Sequence, residues 1–212
     1  MKVTKFEHSC LVIQQSSDVL IIDPGSFTMP LSDVRGVVAV VITHEHPDHW
    51  TPEQLRRILD INPGATVYGP SGVVAAASEF AVTEVTAGET LQVGEFSLRF
   101  FGGVHAEIHS SIPRIDNLGV LVNGTLFHGG DSLEVPQDIS VDTLAVPSGA
   151  PWLKIGEVID YVTAVAPKRS FPIHEMVLSV AGKTMSNGRI EAATQSGGGE
   201  FFVLDPSESI DL

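Results

Sequence analysis

Four side chains able to bind a metal, His44, His46, Asp48 and His49, fall within six residues in Thr43-His44-Glu45-His46-Pro47-Asp48-His49. Imidazole mixed with carboxylate favours zinc or a neighbouring first-row metal over calcium or magnesium, which take oxygen shells. One ion rarely takes four protein ligands from so short a loop and still keeps a position open. Two adjacent ions sharing the loop is the easier geometry. A plain polar turn has no reason to collect histidines, which are costly to bury unpaired.

The elements that must position this loop can be read around it. Gly36-Val37-Val38-Ala39-Val40-Val41-Ile42 is an apolar run bounded by a glycine, the pattern of a buried strand delivering the loop at its end. Three more metal-type residues stand just after strand-like runs. His105 lies beyond Phe96 to Phe101 and Gly102-Gly103-Val104, Asp131 beyond Thr125 to Phe127, and His174 beyond Ser170 to Ile173. Ligands at strand ends sit on a rigid platform, so all could converge on one edge of the fold. His109, four residues after His105, is an alternative to it, and strand-end position favours His105.

The rest of the chain alternates strands and helices. Cys10 to Gln14 and Val19 to Asp23 read as a hairpin across Gln15-Ser16-Ser17-Asp18, with a break at Asp23-Pro24-Gly25. A helix starts at Thr51-Pro52-Glu53-Gln54, where Thr51 caps, Pro52 suits the first position and Gln54 completes a capping box. Leu55, Ile58 and Leu59 form its stripe, and Asn62-Pro63-Gly64 ends it. A strand at Thr66 to Tyr68 and a helix from Ser71 follow. Leu118 to Val122 and Thr125 to Phe127 flank Asn123-Gly124, a strong hairpin signal. Thr143 to Val146 reads as a buried strand, and Ile155, Ile159, Val162 and Val165 mark a helix ending before Pro167. The region after His174 is loosely patterned up to a strand at Phe201 to Leu204. Pattern alone gives an α/β or α+β chain with mixed sheets.

Composition narrows the function. The 212 residues suit one domain, residues 1–212, and 43% hydrophobic content with 20 glycines suits a globular, strand-rich protein. The 12 Lys and Arg against 26 Asp and Glu leave a formal net charge of -14, which repels phosphate backbones. No nucleic-acid partner is expected. No apolar run approaches about 20 residues and the first residues lack a signal-peptide core, so neither a membrane span nor export is expected. Cys10 is the one cysteine, sits in an apolar run and reads as a core thiol in a reducing compartment. The expected location is cytoplasmic. Pro147-Ser148-Gly149 makes no Gly-x-Ser-x-Gly elbow, so a serine nucleophile is not indicated.

The order His-x-His-x-Asp-His, then His, then Gly-Asp, then a late His resembles the ligand order of the metallo-β-lactamase superfamily. Phe6-Glu7-His8-Ser9-Cys10, Ile22-Asp23-Pro24-Gly25 and Phe127-His128-Gly129-Gly130-Asp131 resemble its small lactonase-like and uncharacterised metal-dependent hydrolase branch. The resemblance implies an α+β, four-layer αββα sandwich of two mixed sheets flanked by helices. It implies that His44, His46 and His105 hold one ion, that Asp48, His49 and His174 hold a second, and that Asp131 bridges them. Two Zn2+ per chain are implied, with Mn2+ or Fe2+ as alternatives. The implied reaction is attack by a hydroxide bridging two metal ions on an ester, lactone or phosphoester bond of a small molecule, with Asp48 orienting the nucleophile or taking its proton. A phosphodiesterase or nuclease-type member and a non-hydrolytic metal-binding protein are the alternatives. A redox protein using iron in the same ligand set would need an electron-transfer partner. The chain reads as close to the minimal catalytic domain, with a monomer and a homo-oligomer both open. Around the ligands, His8 is either a supporting residue or a surface histidine. Asp23 either orients a ligating histidine or starts a turn. His128 is either a proton relay or outward-facing, and Trp152 either walls a pocket or packs in the core.

Overall fold

The computed structural model describes residues 1–212. Apolar runs of branched residues favour pleated strands, and the first half lays down six of them. These are β1 (Lys2–Lys5), β2 (Leu11–Gln15), β3 (Asp18–Ile22) and β4 (Val37–Val41), then β5 (Thr66–Gly69) and β6 (Val82–Glu84), with α1 (Pro52–Ile61) and α2 (Ser71–Ala76) around β5. The second half forms β7 (Thr90–Val93), β8 (Phe96–Gly102), β9 (Leu118–Val122), β10 (Leu126–His128), β11 (Thr143–Pro147), α3 (Ile155–Val165), β12 (Arg169–Ile173), α4 (Val180–Ser196) and β13 (Glu200–Phe201). The chain then returns as β14 (Ser209–Asp211) to the edge of the first sheet.

The two seven-stranded sheets follow one plan. The first runs β14-β1-β2-β3-β4-β5-β6 and the second β13-β12-β11-β10-β9-β8-β7. Each passes from antiparallel pairs at one side to parallel pairs at the other. Three apolar clusters define the layers. One fills the space between the sheets, with Leu11, Ile13 and Leu20 facing Phe96, Phe100 and Phe171. Another packs Ile21, Val40 and Ile42 against Leu55, Ile58 and Val73 of the first two helices. The third packs Leu144 and Val146 against Val158, Val162, Ile190 and Ala193 of the last two. This is the expected αββα sandwich. No helix is long and apolar enough to cross a membrane.

The expected strands and helices form with small end shifts, and the Asn123-Gly124 hairpin closes with φ of 50° and 64° at its two turn residues, as a type I′ turn requires. Thr51 caps α1 through the backbone N–H of Gln54. The Gln54 side chain departs from the capping-box reading. It turns away to donate to Thr28 O at 2.9 Å and accept from Leu31 N at 3.2 Å, pinning the loop after β3.

The largest departure is α4, the longest helix, in the region that looked unpatterned. It carries Gly182 and Gly188 and buries only Ile190, Ala193 and Thr194 near its end, so no apolar stripe marks it. The strand expected at Phe201 to Leu204 shrinks to Glu200–Phe201. Because α4 is anchored mainly through Ile190, Ile190→Ala should destabilise the protein by about 2–5 kcal/mol. A urea midpoint unchanged by the substitution would mean that the helix is not docked in this way.

Candidate metal centre

All the candidate donors lie at one end of the sandwich. The strands β8, β10 and β12 point the same way in the second sheet, so His105, Asp131 and His174 emerge at a common edge. Across from them, β4 delivers His44 to His49 from the first sheet. Main-chain bonds join the sheets here: Leu118 N donates to Thr43 O at 2.9 Å, and His174 N to His8 O at 3.0 Å.

The donors form two groups, in each of which the ligand atoms lie within 4.8 Å of one another. One is His44, His46, His105 and Asp131, and the other is His8, Asp48, His49 and His174. In the first, His44 Nε2 is 3.1 Å from His46 Nδ1, and His105 Nε2 is 3.3 Å from Asp131 Oδ2. In the second, Asp48 Oδ2 is 3.1 Å from His8 Nε2, 3.6 Å from His174 Nε2 and 3.9 Å from His49 Nε2. Asp131 touches both groups, its Oδ1 lying 3.2 Å from His49 Nε2 and its Oδ2 3.1 Å from His174 Nε2. His105 lies within the cluster, whereas His109 is exposed, bonded to Ser111, and lines a neighbouring cavity.

The hydrogen bonding fits a metal. His49 Nε2, His105 Nε2, His174 Nε2 and Asp131 Oδ1 are buried without hydrogen-bond partners, a costly state for polar atoms unless a cation takes their lone pairs. The opposite ring nitrogens all face oxygens. His49 Nδ1 donates to Asp23 Oδ2 at 2.7 Å, His105 Nδ1 to Ala106 O at 2.6 Å, and His174 Nδ1 to Gly149 O at 2.7 Å. His44 Nδ1 faces Thr43 Oγ1 at 3.0 Å, and that hydroxyl donates to Asp23 Oδ2 at 2.8 Å. These partners fix the tautomers and aim lone pairs at the centre, the usual arrangement behind metal-bound imidazoles. The donor set fits a divalent metal ion.

Charge follows the same logic. Burial holds the His44 imidazole well below its ordinary range, and the nearby His49 adds to this. Burial also lowers His46 and His8. His49 and His174 go the other way: burial opposes their charging, but the Asp131 carboxylate overrides it and raises both, helped at His49 by Asp23. Asp131 is correspondingly held well below the usual carboxylate range against its burial. Asp48 is lowered to about 2, because the His8 hydrogen bond and the charges of His49 and His174 outweigh desolvation.

Several surrounding residues gain definite tasks. Asp23, at φ 50°, accepts from Thr43 N, Thr43 Oγ1 and His49 Nδ1, so it holds both the turn and a histidine. Gly25 lies so close to the metal loop that a Cβ would stand 1.7 Å from Asp48 O. His128 faces inward, not outward. It is buried, its Nδ1 accepts from Gly130 N at 3.1 Å and its Nε2 donates to Ser9 O at 3.0 Å, so both nitrogens brace the turn before Asp131. Trp152 is a wall and more, since its Nε1 donates to Asp131 Oδ2 at 2.8 Å. Cys10 is fully buried and its thiol is pushed far up by desolvation, as a core residue should be.

Sequence reasoning passed over Asn117 and the pair Lys5 and Glu175. Asn117 accepts from Asp131 N at 2.9 Å and donates to Gly129 O at 2.9 Å. Lys5, on β1, meets Glu175 at 2.5 Å in a buried ion pair beside His174. An Asn before an apolar strand and a Lys in a strand carry no chemical signature, so no motif announces them.

The fold and these two facing clusters define a metallo-β-lactamase-type sandwich. A family model described as the beta-lactamase superfamily domain matches residues 2–174, ending on the last candidate ligand. The chain belongs to the metallo-β-lactamase superfamily. It is similar to Protein Rv0786c of Mycobacterium tuberculosis, 39% identical over 214 residues, covering 99% of this chain and 98% of that protein. It also resembles the UPF0173 protein PYRAB01190 of Pyrococcus abyssi, 30% identical over 82% of this chain and 83% of the relative. Among solved structures, a metallo hydrolase from Ignicoccus hospitalis superposes with a TM-score of 0.75 at 17% identity, over 99% of this chain and 97% of that one. CmlA, a diiron β-hydroxylase from Streptomyces venezuelae, superposes with a TM-score of 0.80 at 16% identity, over all of this chain (100%) and 54% of CmlA. At such identities the structural likeness speaks for the fold.

Two measurements test the centre. Asp23→Asn places an amide where three donors need acceptors, and it should weaken metal binding about 10–100-fold. A chelator competition titration giving wild-type affinity would refute the role of Asp23. Because the metal-free protein holds protons on His49 and His174 at higher pH than free imidazole does, metal uptake must displace them. Apparent affinity should therefore rise with pH until both are neutral. Calorimetry in buffers of different ionisation enthalpy should register proton release, and buffer-independent heats would contradict it.

Proposed function

We propose that this chain is a metal-dependent hydrolase acting on a carboxylic ester or lactone of a small molecule, with two Zn2+ ions as cofactors. The observation that carries the reading is the pair of donor clusters meeting at Asp131, with three imidazole lone pairs and a carboxylate oxygen buried and unpartnered between them. His44, His46 and His105 would hold one ion, Asp48, His49 and His174 the other, and Asp131 would be shared. Divalent ions in such a site supply a water that loses its proton near neutral pH and polarise a carbonyl or phosphoryl oxygen.

The chain's own residues do the rest. Asp48 is the most open of the carboxylates, with 25% of its side chain exposed, and it remains ionised at any working pH. A carboxylate held near 2 is a poor proton store at neutral pH, so Asp48 orients the attacking water instead of keeping its proton. Trp152 and Asn117 fix the side chain and backbone of Asp131, which keeps the two clusters at a constant separation.

The surroundings favour an ester or lactone over a phosphodiester. Phe27, Ile112, Met176 and Val177 are exposed apolar side chains on loops beside His8, His105 and His174. Trp152, Ile108, Leu133 and Leu153 line an adjoining cavity of about 540 Å3, enough for a small acyl or ring group. Cations here are few: Arg114 bonds to His105 O through Nε, and Lys154 pairs with Glu157. Phosphoryl transfer sites instead gather cationic side chains around the charged oxygens.

The test is a panel of esters, lactones, thioesters, phosphodiesters and β-lactams, assayed with metal quantified on the same preparation. Ester or lactone turnover with about two zinc per chain is expected, and Asp48→Ala should lower kcat by about 10²-fold or more through lost positioning. Turnover confined to phosphodiesters would overturn the substrate class. Iron as the bound metal without hydrolysis would instead favour oxidative chemistry.

A further inference from the structure

His8 is buried, stands in the left-handed region at φ 63°, and reaches both Asp48 and His174 of the second cluster. Its Nε2 lies 3.1 Å from Asp48 Oδ2, its carbonyl accepts from His174 N at 3.0 Å, and its ring meets that of His174 at a 48° tilt with centroids 3.9 Å apart. Phe27 closes its other side edge-on at 4.9 Å. A histidine is not free to adopt such a backbone without strain, and strain of this kind persists where the surroundings enforce it.

Distance alone allows two roles, because His8 Nε2 falls among the ligand atoms of Asp48, His49 and His174. The other ring nitrogen decides between them. His44, His49, His105 and His174 each turn their second nitrogen to an oxygen, which places the proton there and leaves a lone pair for an ion. His8 Nδ1 is buried with no partner. Ligation through Nε2 would put the proton on Nδ1 and bury an N–H without an acceptor, a rare and costly arrangement. With the proton on Nε2, the same ring donates to Asp48 and no donor is wasted.

We propose that His8 is a positioning residue of the metal centre, donating Nε2–H to Asp48 Oδ2. The bond fixes which carboxylate oxygen Asp48 turns to the centre, while the His8 carbonyl holds the backbone of His174. The inference rests on the two-ion reading above.

Zinc titration calorimetry, metal content and the visible spectrum of the cobalt-substituted protein test it on wild type, His8→Leu and His8→Gln. Leucine removes the donor. Glutamine can place an amide N–H near the position of Nε2 but is a poor metal ligand. His8→Leu should bind the first ion as wild type does and the second about 10–100-fold more weakly. His8→Gln should restore the second ion and leave the cobalt spectrum unchanged, since no nitrogen leaves the ion. A wild-type second affinity in His8→Leu overturns the proposal alone, with the two-ion reading intact. A His8→Gln protein that resembles His8→Leu, with a cobalt spectrum shifted by loss of a nitrogen, makes His8 a ligand and also overturns it. Wild type binding fewer than two ions overturns both readings. Should His8→Leu lose the first ion too and fail to fold, His8→Gln decides by the same two readouts.

Discussion

A single buried carboxylate, Asp131, organises this protein's working end. An uncompensated charge at that depth would be prohibitively costly, so the fold surrounds it with imidazoles from both sheets. His49 comes from the first sheet, His105 and His174 from the second, and their facing nitrogens have no other partner. Without an ion, protons on His49 and His174 answer the problem, and a divalent cation held by the same ligands would answer it too. Affinity for metal is thus built into the electrostatics of the folded chain and is not a property of the six-residue loop alone.

Asp131 can play this part only if the sheets are locked in register at one end. Main-chain bonds from Leu118 to Thr43 and from His174 to His8 do this, and the buried pair of Lys5 and Glu175 adds a third tie. Removing one partner of such a pair strands the other charge, so the pair is a tie that tolerates little change. Three residues at this end, His8, Asp23 and His174, sit at positive φ without being glycine. Their strain marks where the backbone bends to present side chains, and the cross-sheet bonds hold those bends in place.

The mouth of the centre differs in character from its floor. The floor is ionic, with oxygens facing the rear nitrogens of His44, His49, His105 and His174, while the rim exposes Phe27, Ile112, Met176 and Val177. A polar reaction centre beneath an apolar rim suits a substrate whose reactive bond is polar and whose remainder is not. Trp152 belongs to both regions, with its indole N–H on Asp131 and its ring against the neighbouring cavity.

By itself the sequence determined where metal-type side chains gather and most of the frame. His44, His46, Asp48 and His49 announce a metal by type and spacing, and strand-end placement marks His105, Asp131 and His174, because strands with clear periodicity fix where their loops emerge. Helix α1 and the Asn123-Gly124 hairpin were legible for the same local reason: caps and turn residues act within a few positions. Tertiary structure alone decided what lies between distant segments. Helix α4 has no apolar stripe, so its existence depends on docking through Ile190 and Ala193. His8 is 40 residues from Asp48, and Lys5 is 170 from Glu175, so neither partner can be read from spacing. For Asp23, His128 and Trp152 only the fold decides which neighbours each side chain meets. A hydrogen bond depends on distance and angle in space, and side chains with ordinary types acquire such roles only when the chain brings them together.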